Sequence, residues 1–338
     1  MVWHRWAGGF AGLVLAAALE SAAEPPRAPR HVVRGLMPLL VGNPGDVQRP
    51  TRPALILAGG GADVDVAMRF FGERAGAGDL VVLRASGGGG YNQYLLDLTG
   101  ADSVETLVVA SRQRAEDPYV LARVSQAEGV FVAGGDQADY VNFWGGTPLA
   151  RAIDNVLARG APLGGTSAGL AILGEWVFAA LAGTVTSAQA LADPFDERVT
   201  LVHSLLHVPS LRGVITDSHF ATRDRMGRLI SFLARIAVET ADGAVHGIGI
   251  DEATALLVDE HGTGIVAGRG AAYFLHASAP PQRCVPGEPL TFHNVVVQRA
   301  VAGQAFDLRS WDGAGLTTYW VAAENGQLTS TQPGGWVY

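Results

Sequence analysis

At 338 residues, 48% hydrophobic and 17% charged, the chain can bury a large core, which excludes a disordered protein and allows one large domain or two modest ones. A formal net charge of −8 and a pI near 5.6 exclude the basic face that nucleic acids and anionic membranes demand. The single cysteine, Cys284, excludes an intramolecular disulfide and, lying between prolines with no nearby histidine, suits packing better than nucleophilic chemistry.

The N-terminal segment carries His4 and Arg5, an apolar stretch from Trp6 to Leu19, and Ser21-Ala22-Ala23 before Glu24-Pro25-Pro26. That layout predicts a secretory signal peptide over residues 1–23, cleaved after Ala23, with export to the periplasm or beyond. The rival is a membrane anchor, but the apolar stretch is shorter than the ~20 residues a spanning helix needs. Residues 24–53, rich in Pro, Arg and Val, read as a lead-in with room for one strand.

Residues 54–279 read as the main domain. The run at 54–58 leads into Gly59-Gly60-Gly61 and a segment of helical spacing through Val64, Met68 and Phe71. The same cadence recurs at Leu80 to Leu83 before Gly87 to Gly90, at Thr106 to Ala110 before a helix near Tyr119 to Gln126, and at Val130 to Ala133 before Gly134-Gly135-Asp136-Gln137. Apolar strands without alternation, each feeding a helix, predict an α/β fold with a mainly parallel central sheet covered on both faces. Ligands bind outside the carboxyl ends of such strands, so the residues just after each run are the place to look for chemistry. Short runs near 247–250, 255–258, 264–267 and 271–275 read as strands extending the sheet. Residues 280–338, with Trp311, Trp320 and Trp336 among Gly, Thr and Gln, read as a small β-rich extension.

Gly165-Thr166-Ser167-Ala168-Gly169 follows a short strand ending at Leu163, and residues 170–176 suit a helix. A serine on such a strand-to-helix turn has its hydroxyl exposed, and the Ala168 amide at the helix start can donate to a developing oxyanion with the helix dipole behind it. The bland alternative is a glycine-rich turn holding an inert serine. A serine needs a base, and of nine histidines His219 is the best placed, because 214–216 reads as a strand that puts Asp217-Ser218-His219-Phe220 at a carboxyl end, on the same sheet face as Ser167. His203, His207 and His246 have weaker placements. Arg223, Arg225 and Arg228 follow; they suit capture of a substrate carboxylate or of Asp217 and Asp251 inside the protein, and the pattern leaves both open.

These pieces, together with Gly249-Ile250-Asp251-Glu252, resemble in order and spacing the cyanophycinase-type serine peptidases, a family that includes the aspartyl dipeptidases. The resemblance implies a fold like that of the class I glutamine amidotransferases, with a serine where those enzymes keep a cysteine. It implies Ser167 as nucleophile, His219 as general base, an oxyanion held by the amides of Gly135 and Ala168, and a substrate pocket lined by Gln137, Asp217, Ser218, Arg223, Arg225 and Arg228. The substrate it implies is cyanophycin, a polyaspartate carrying arginines on its β-carboxyls, released as β-aspartyl-arginine through an acyl-Ser167 intermediate. Two positions depart from the family pattern: Ser218 stands where a glutamine is usual, and the stretch 184–189, where the family's third triad acid is expected, carries none. Orientation of His219 is left to Ser187, Gln189 or Glu175, or to Asp193 or Glu197.

No His-x-x-x-His or clustered Cys/His set predicts a metal, and the glycine loops complete neither a dinucleotide nor a phosphate-binding motif, so no cofactor is expected. The expected partner is a peptide or cyanophycin-like substrate, with no nucleic acid, no membrane after signal cleavage, and a homodimer as a further expectation. Two other readings stand beside this one: a hydrolase of the same fold acting on other aspartyl peptides or amides, and a catalytically silent peptide-binding protein.

Overall fold

The structure, a computed structural model, describes residues 39–240 and 245–338; the expected signal peptide and much of the lead-in lie outside the described residues. The first part of the chain forms β1 (Leu40–Gly42), β2 (Leu55–Ala58), α1 (Asp65–Arg74), β3 (Asp79–Arg84), α2 (Asn92–Thr99) and β4 (Ser103–Val108). There follow α3 (Pro118–Gln126), β5 (Gly129–Val132), α4 (Gln137–Trp144), α5 (Pro148–Ala158), β6 (Leu163–Thr166) and the one-turn α6 (Ala168–Ala171). Beyond these come β7 (Trp176–Phe178), α7 (Ser187–Ala192), β8 (Leu201–His203), β9 (Val214–Asp217), α8 (Met226–Glu239), β10 (His246–Ile250) and β11 (Thr254–Val258). The last strands are β12 (Thr263–Gly268), β13 (Ala271–Ala277), β14 (Phe292–Val301), β15 (Ala305–Asp307), β16 (Thr317–Glu324) and β17 (Gln327–Ser330).

Among the described residues the strands form two sheets instead of one central sheet. The first has the order β1-β4-β3-β5-β6-β2-β11-β12-β15; its middle pairs, β4-β3, β3-β5, β5-β6 and β6-β2, are parallel, and the outer ones antiparallel. The second has the order β17-β16-β14-β13-β10-β9-β7-β8, with parallel pairing only at β10-β9 and β9-β7. The parallel core is where the sequence has fully apolar strands: all four residues of β2 and of β5 are buried. Ile56, Val82 and Phe131 pack on Met68 and Phe71 of α1 and Leu95 of α2 on one face. Leu57, Val81 and Val132 pack against Val120 and Val124 of α3 and Ile153 and Val156 of α5 on the other.

Three expectations change. The run at 271–275 extends the second sheet, pairing with β10, because the chain crosses to the first sheet at residues 251–253 for β11 and β12 and crosses back at 269–270. The segment after Ser167 supplies only one helical turn, and Trp176–Phe178 is a strand, β7. Residues 164–166 belong to β6, since glycines there admit the close approach of neighbouring side chains such as Phe131. The tail supplies outer strands of both sheets: β14, β16 and β17 continue the second, and β15 closes the first. Cys284 is buried, and that burial pushes its thiol up to about 11, which leaves it protonated and inert.

Candidate active site

Ser167 ends the turn after β6 with φ 54° and ψ −118°, a left-handed conformation a serine adopts only when its surroundings hold it. They do so here: the Ser167 amide donates to the Ala58 carbonyl at 3.1 Å, tying the turn to the neighbouring strand β2, and the Ser167 carbonyl accepts from Ala171 at 3.0 Å. A side chain at Gly169 would place its Cβ 2.1 Å from the Val132 carbonyl oxygen, so the helix can sit against β5 only with glycine there. The result is a hydroxyl held proud of the sheet at its carboxyl edge.

Facing it is His219, at φ 48°, whose Nε2 lies 2.7 Å from Ser167 Oγ. On the other side of the ring, Nδ1 lies 2.6 Å from Oε1 of Glu252. This acid belongs to the crossover in which β10 of the second sheet becomes β11 of the first. The junction is stitched by backbone bonds: His219 N to Gly59 O at 2.8 Å, Ala253 N to Gly60 O at 2.8 Å, and Gly59 N to Thr254 O at 2.9 Å. Asp251 joins in, its carboxylate accepting from the amides of Ala221 and Ala271. Gly60, at φ +92°, is the hinge of this arrangement; a Cβ there would lie 2.5 Å from His219 Cε1 and 3.1 Å from Ser167 Cβ.

His219 is 6% exposed, and that burial, with help from the nearby Arg223 and Arg225 charges, holds its pKa below 6.5 against the opposing pull of Glu252. It is therefore a neutral imidazole at neutral pH, able to accept the serine proton, with a carboxylate on its far nitrogen to stabilise the imidazolium that forms.

Beside the Gly134-Gly135 turn, which follows β5 and abuts Ser167, opens a cavity of about 470 Å³ lined by Gly135, Asp136, Gln137, the loop 183–186, Arg223, Arg225 and Arg228. Of the two open alternatives for the arginines, the internal one is realised at Arg225 and Arg228. Arg228 is buried and forks onto Asp217, with Nε to Oδ2 at 2.7 Å and Nη2 to Oδ1 at 2.5 Å, and Arg225 adds Nη1 to the same Oδ1 at 3.1 Å. Burial works to raise Asp217, but the two guanidinium groups outweigh it and hold the carboxylate below its usual range. Burial lowers Arg225 to about 10, which leaves it charged at neutral pH. Arg223 is the half-exposed one, its Nε 4.0 Å from Glu252 Oε1. Three arginines against the buried Asp217 and the lining Asp136 leave the cavity wall with one positive charge in excess, and Gln137, whose Nε2 donates to the Phe178 carbonyl at 3.1 Å, stands on the same wall.

Several expectations about the site residues change. Asp217 and Ser218, each 3% exposed, lie behind the arginines and do not line the cavity, because the carboxylate is needed to offset buried positive charge. His219 and Ser167 come from different sheets, not from one face of one sheet. With four residues in α6, the helix dipole at Ala168 is small, so anion stabilisation there falls to the amide itself. None of Ser187, Gln189 and Glu175 reaches His219: Ser187 Oγ donates to the Asp224 carbonyl, Gln189 completes a capping box with Thr186, and Glu175 accepts from the Gly213 amide at 2.6 Å. Asp193 and Glu197 make no bond to His219 either, Asp193 accepting instead from the Phe195 amide. The signal for Glu252 is an acid just after an apolar strand run, but no local spacing ties a residue so far along the chain to Ser167.

Comparison with known proteins gives the chain's relatives. Residues 91–266 match the family described as Peptidase family S51. The chain is 31% identical over 294 residues to a cyanophycinase of Trichormus variabilis, covering 81% of this chain and 93% of that protein. It is 31% identical over 280 residues to a cyanophycinase of Synechococcus elongatus, covering 78% and 82%. Among solved structures, a peptidase from an acI-B1 Actinobacterium superposes with a TM-score of 0.52 at 20% identity, covering 76% of this chain and 97% of that one, a likeness of fold.

Proposed function

This chain belongs to peptidase family S51, a serine-type peptidase family, and from that premise we propose that it hydrolyses cyanophycin to β-aspartyl-arginine through an acyl-Ser167 intermediate. The observation that carries the reading is the unbroken chain Ser167 Oγ, His219, Glu252, with contacts of 2.7 and 2.6 Å. Ser167 Oγ attacks the scissile carbonyl carbon as its proton passes to His219 Nε2. The tetrahedral oxyanion is met by the amides of Ala168 and Gly135. His219 then gives the proton to the leaving amine, the C–N bond breaks, and the acyl ester remains on Ser167. A water, deprotonated by His219, attacks that ester and restores the serine.

The cavity chemistry supports an acid-bearing substrate. Arginines joined to a polyaspartate through their amino groups keep free carboxylates, which suit a wall of Arg223 and Arg225. Because Ser218 is buried behind that wall, its departure from the family pattern does not reshape the surface a substrate meets. Export with cleavage after Ala23 is part of the proposal; a mature protein whose first residue is Glu24 supports it, and one retaining residues 1–23 overturns it.

The test is intact-mass analysis after exposure to a fluorophosphonate, for the unaltered protein and Ser167→Ala, with dipeptide release from cyanophycin measured alongside. An adduct on the unaltered protein alone, with dipeptide released, is expected. An adduct without dipeptide transfers the reading to other aspartyl peptides or amides; no adduct in folded protein leaves a binding protein.

A further inference from the structure

The loop carrying His219, Arg223 and Arg225 is closed from within by Arg223 N to His219 O at 3.0 Å and Arg225 N to Phe220 O at 2.9 Å. Two of its residues, His219 and Asp224, are held at φ 48°, a conformation that needs external support. The helix that follows, α8, has Arg225 at its N-cap and no side-chain cap of its own. Tyr338 meets both needs. Its hydroxyl donates to Asp224 Oδ1 at 2.9 Å and accepts from the Met226 amide at 2.9 Å, bridging the residues on either side of Arg225. Its ring stands edge-on to Phe220, the neighbour of His219, and to Tyr273, with centroids 5.9 Å apart in each case. The segment bearing it is anchored in turn, Tyr319 donating to the Val337 carbonyl at 2.9 Å and Gln332 Nε2 to the Trp336 carbonyl at 2.9 Å. Tyr338 also lies beyond the family-matched residues 91–266, in a part of the chain that the proposed reaction does not otherwise use.

We propose that Tyr338 is a positioning residue for substrate binding: its hydroxyl, bridging Asp224 and the Met226 amide, sets where Arg223 and Arg225 stand in the cavity while leaving Ser167 and His219 in register. The phenol suits this role, since burial and the Asp224 carboxylate raise its pKa and keep its proton in place as a donor.

The inference rests on the arginine-lined cavity being the substrate site, and the experiment separates the two. In Tyr338→Phe the ring contacts with Phe220 and Tyr273 remain and only the two hydroxyl bonds are lost. On cyanophycin, KM is expected to rise about fivefold with kcat changing less than about twofold, as loss of one such bonded group predicts, while the rate of Ser167 labelling by a fluorophosphonate, which does not use the arginines, stays within the same margin. Hydrogen exchange at the Met226 amide is expected to speed up while global unfolding in urea is little changed. An unchanged KM, or a labelling rate that falls in step with kcat, overturns the proposal. If the unaltered protein does not act on cyanophycin, the substrate reading fails, and the Met226 amide then decides this one: unchanged exchange in Tyr338→Phe overturns it.

Discussion

Glu252→Gln removes the charge opposite His219 while preserving shape. His219 Nδ1 and Glu252 Oε1 are 2.6 Å apart, so an imidazolium formed in the proposed reaction would stand at that distance from the carboxylate. With an effective dielectric of about 20 their attraction is of order 6 kcal/mol. Two features of the site reduce it: the Glu252 side chain is 33% exposed, so water screens the pair, and Arg223 competes for the same oxygen at 4.0 Å. About half should survive, roughly 3–4 kcal/mol, which corresponds to a fall in kcat of about 10²–10³-fold. The amide adds a second penalty: a Gln NH2 donating to Nδ1 would fix the proton on Nε2, where it blocks acceptance from Ser167. Glu252→Gln should therefore be slower than Glu252→Asp, and Glu252→Ala should fall between them. The assay is kcat on cyanophycin with the rate of fluorophosphonate labelling, circular dichroism serving to establish that each variant is folded. A Glu252→Gln enzyme within about fivefold of the unaltered one would refute the electrostatic argument and return the orienting role to another group.

Neutral His219 is the active form, and its pKa lies below 6.5, so kcat/KM should rise with pH to a half-maximum below 6.5 and then level off; a midpoint above 6.5 would contradict the dominance of burial. The same depression makes its contribution to stability complete above pH 6.5 and lost as pH falls through the folded-state value, which urea unfolding across that window would detect. Asp217→Asn leaves two buried guanidinium groups without their counter-charge and should cost about 3–5 kcal/mol of unfolding free energy; a loss under about 1 kcal/mol would mean that water already reaches them. Gly60→Ala, at φ +92° with its Cβ directed at the His219 ring, should lower kcat by about 10²-fold while costing only about 1–2 kcal/mol of stability, and near-normal kcat in that variant would show that the ring has room to move.

Much of this protein was legible in one dimension because the relevant physics is local. Fully apolar runs followed by glycine turns mark the strands of a parallel core, and the β5 run into Gly134-Gly135-Asp136-Gln137 is such a case, Asp136 capping the Ala138 amide at 2.9 Å. The strained turn at Ser167 was equally readable, since the glycines around it exist to permit one backbone conformation. The arginine spacing after His219 announced a cationic site, but its partition was not visible: whether a guanidinium faces substrate or a buried carboxylate depends on which side of the loop Asp217 is packed, and only burial decides that.

What the sequence alone determined was therefore the apolar strands of the parallel core, the tight turn at Ser167, the histidine that faces it and the basic cluster beside them. The tertiary structure decided how many sheets those strands form, and with that the third member of the site. Glu252 lies 85 residues beyond Ser167 in the chain (252 − 167), and it meets His219 because the crossover between the two sheets is bonded to Gly59 and Gly60. Strand runs read alike whichever sheet they join, since the preference for a neighbour comes from packing across the whole core and leaves no periodic mark on the strand itself.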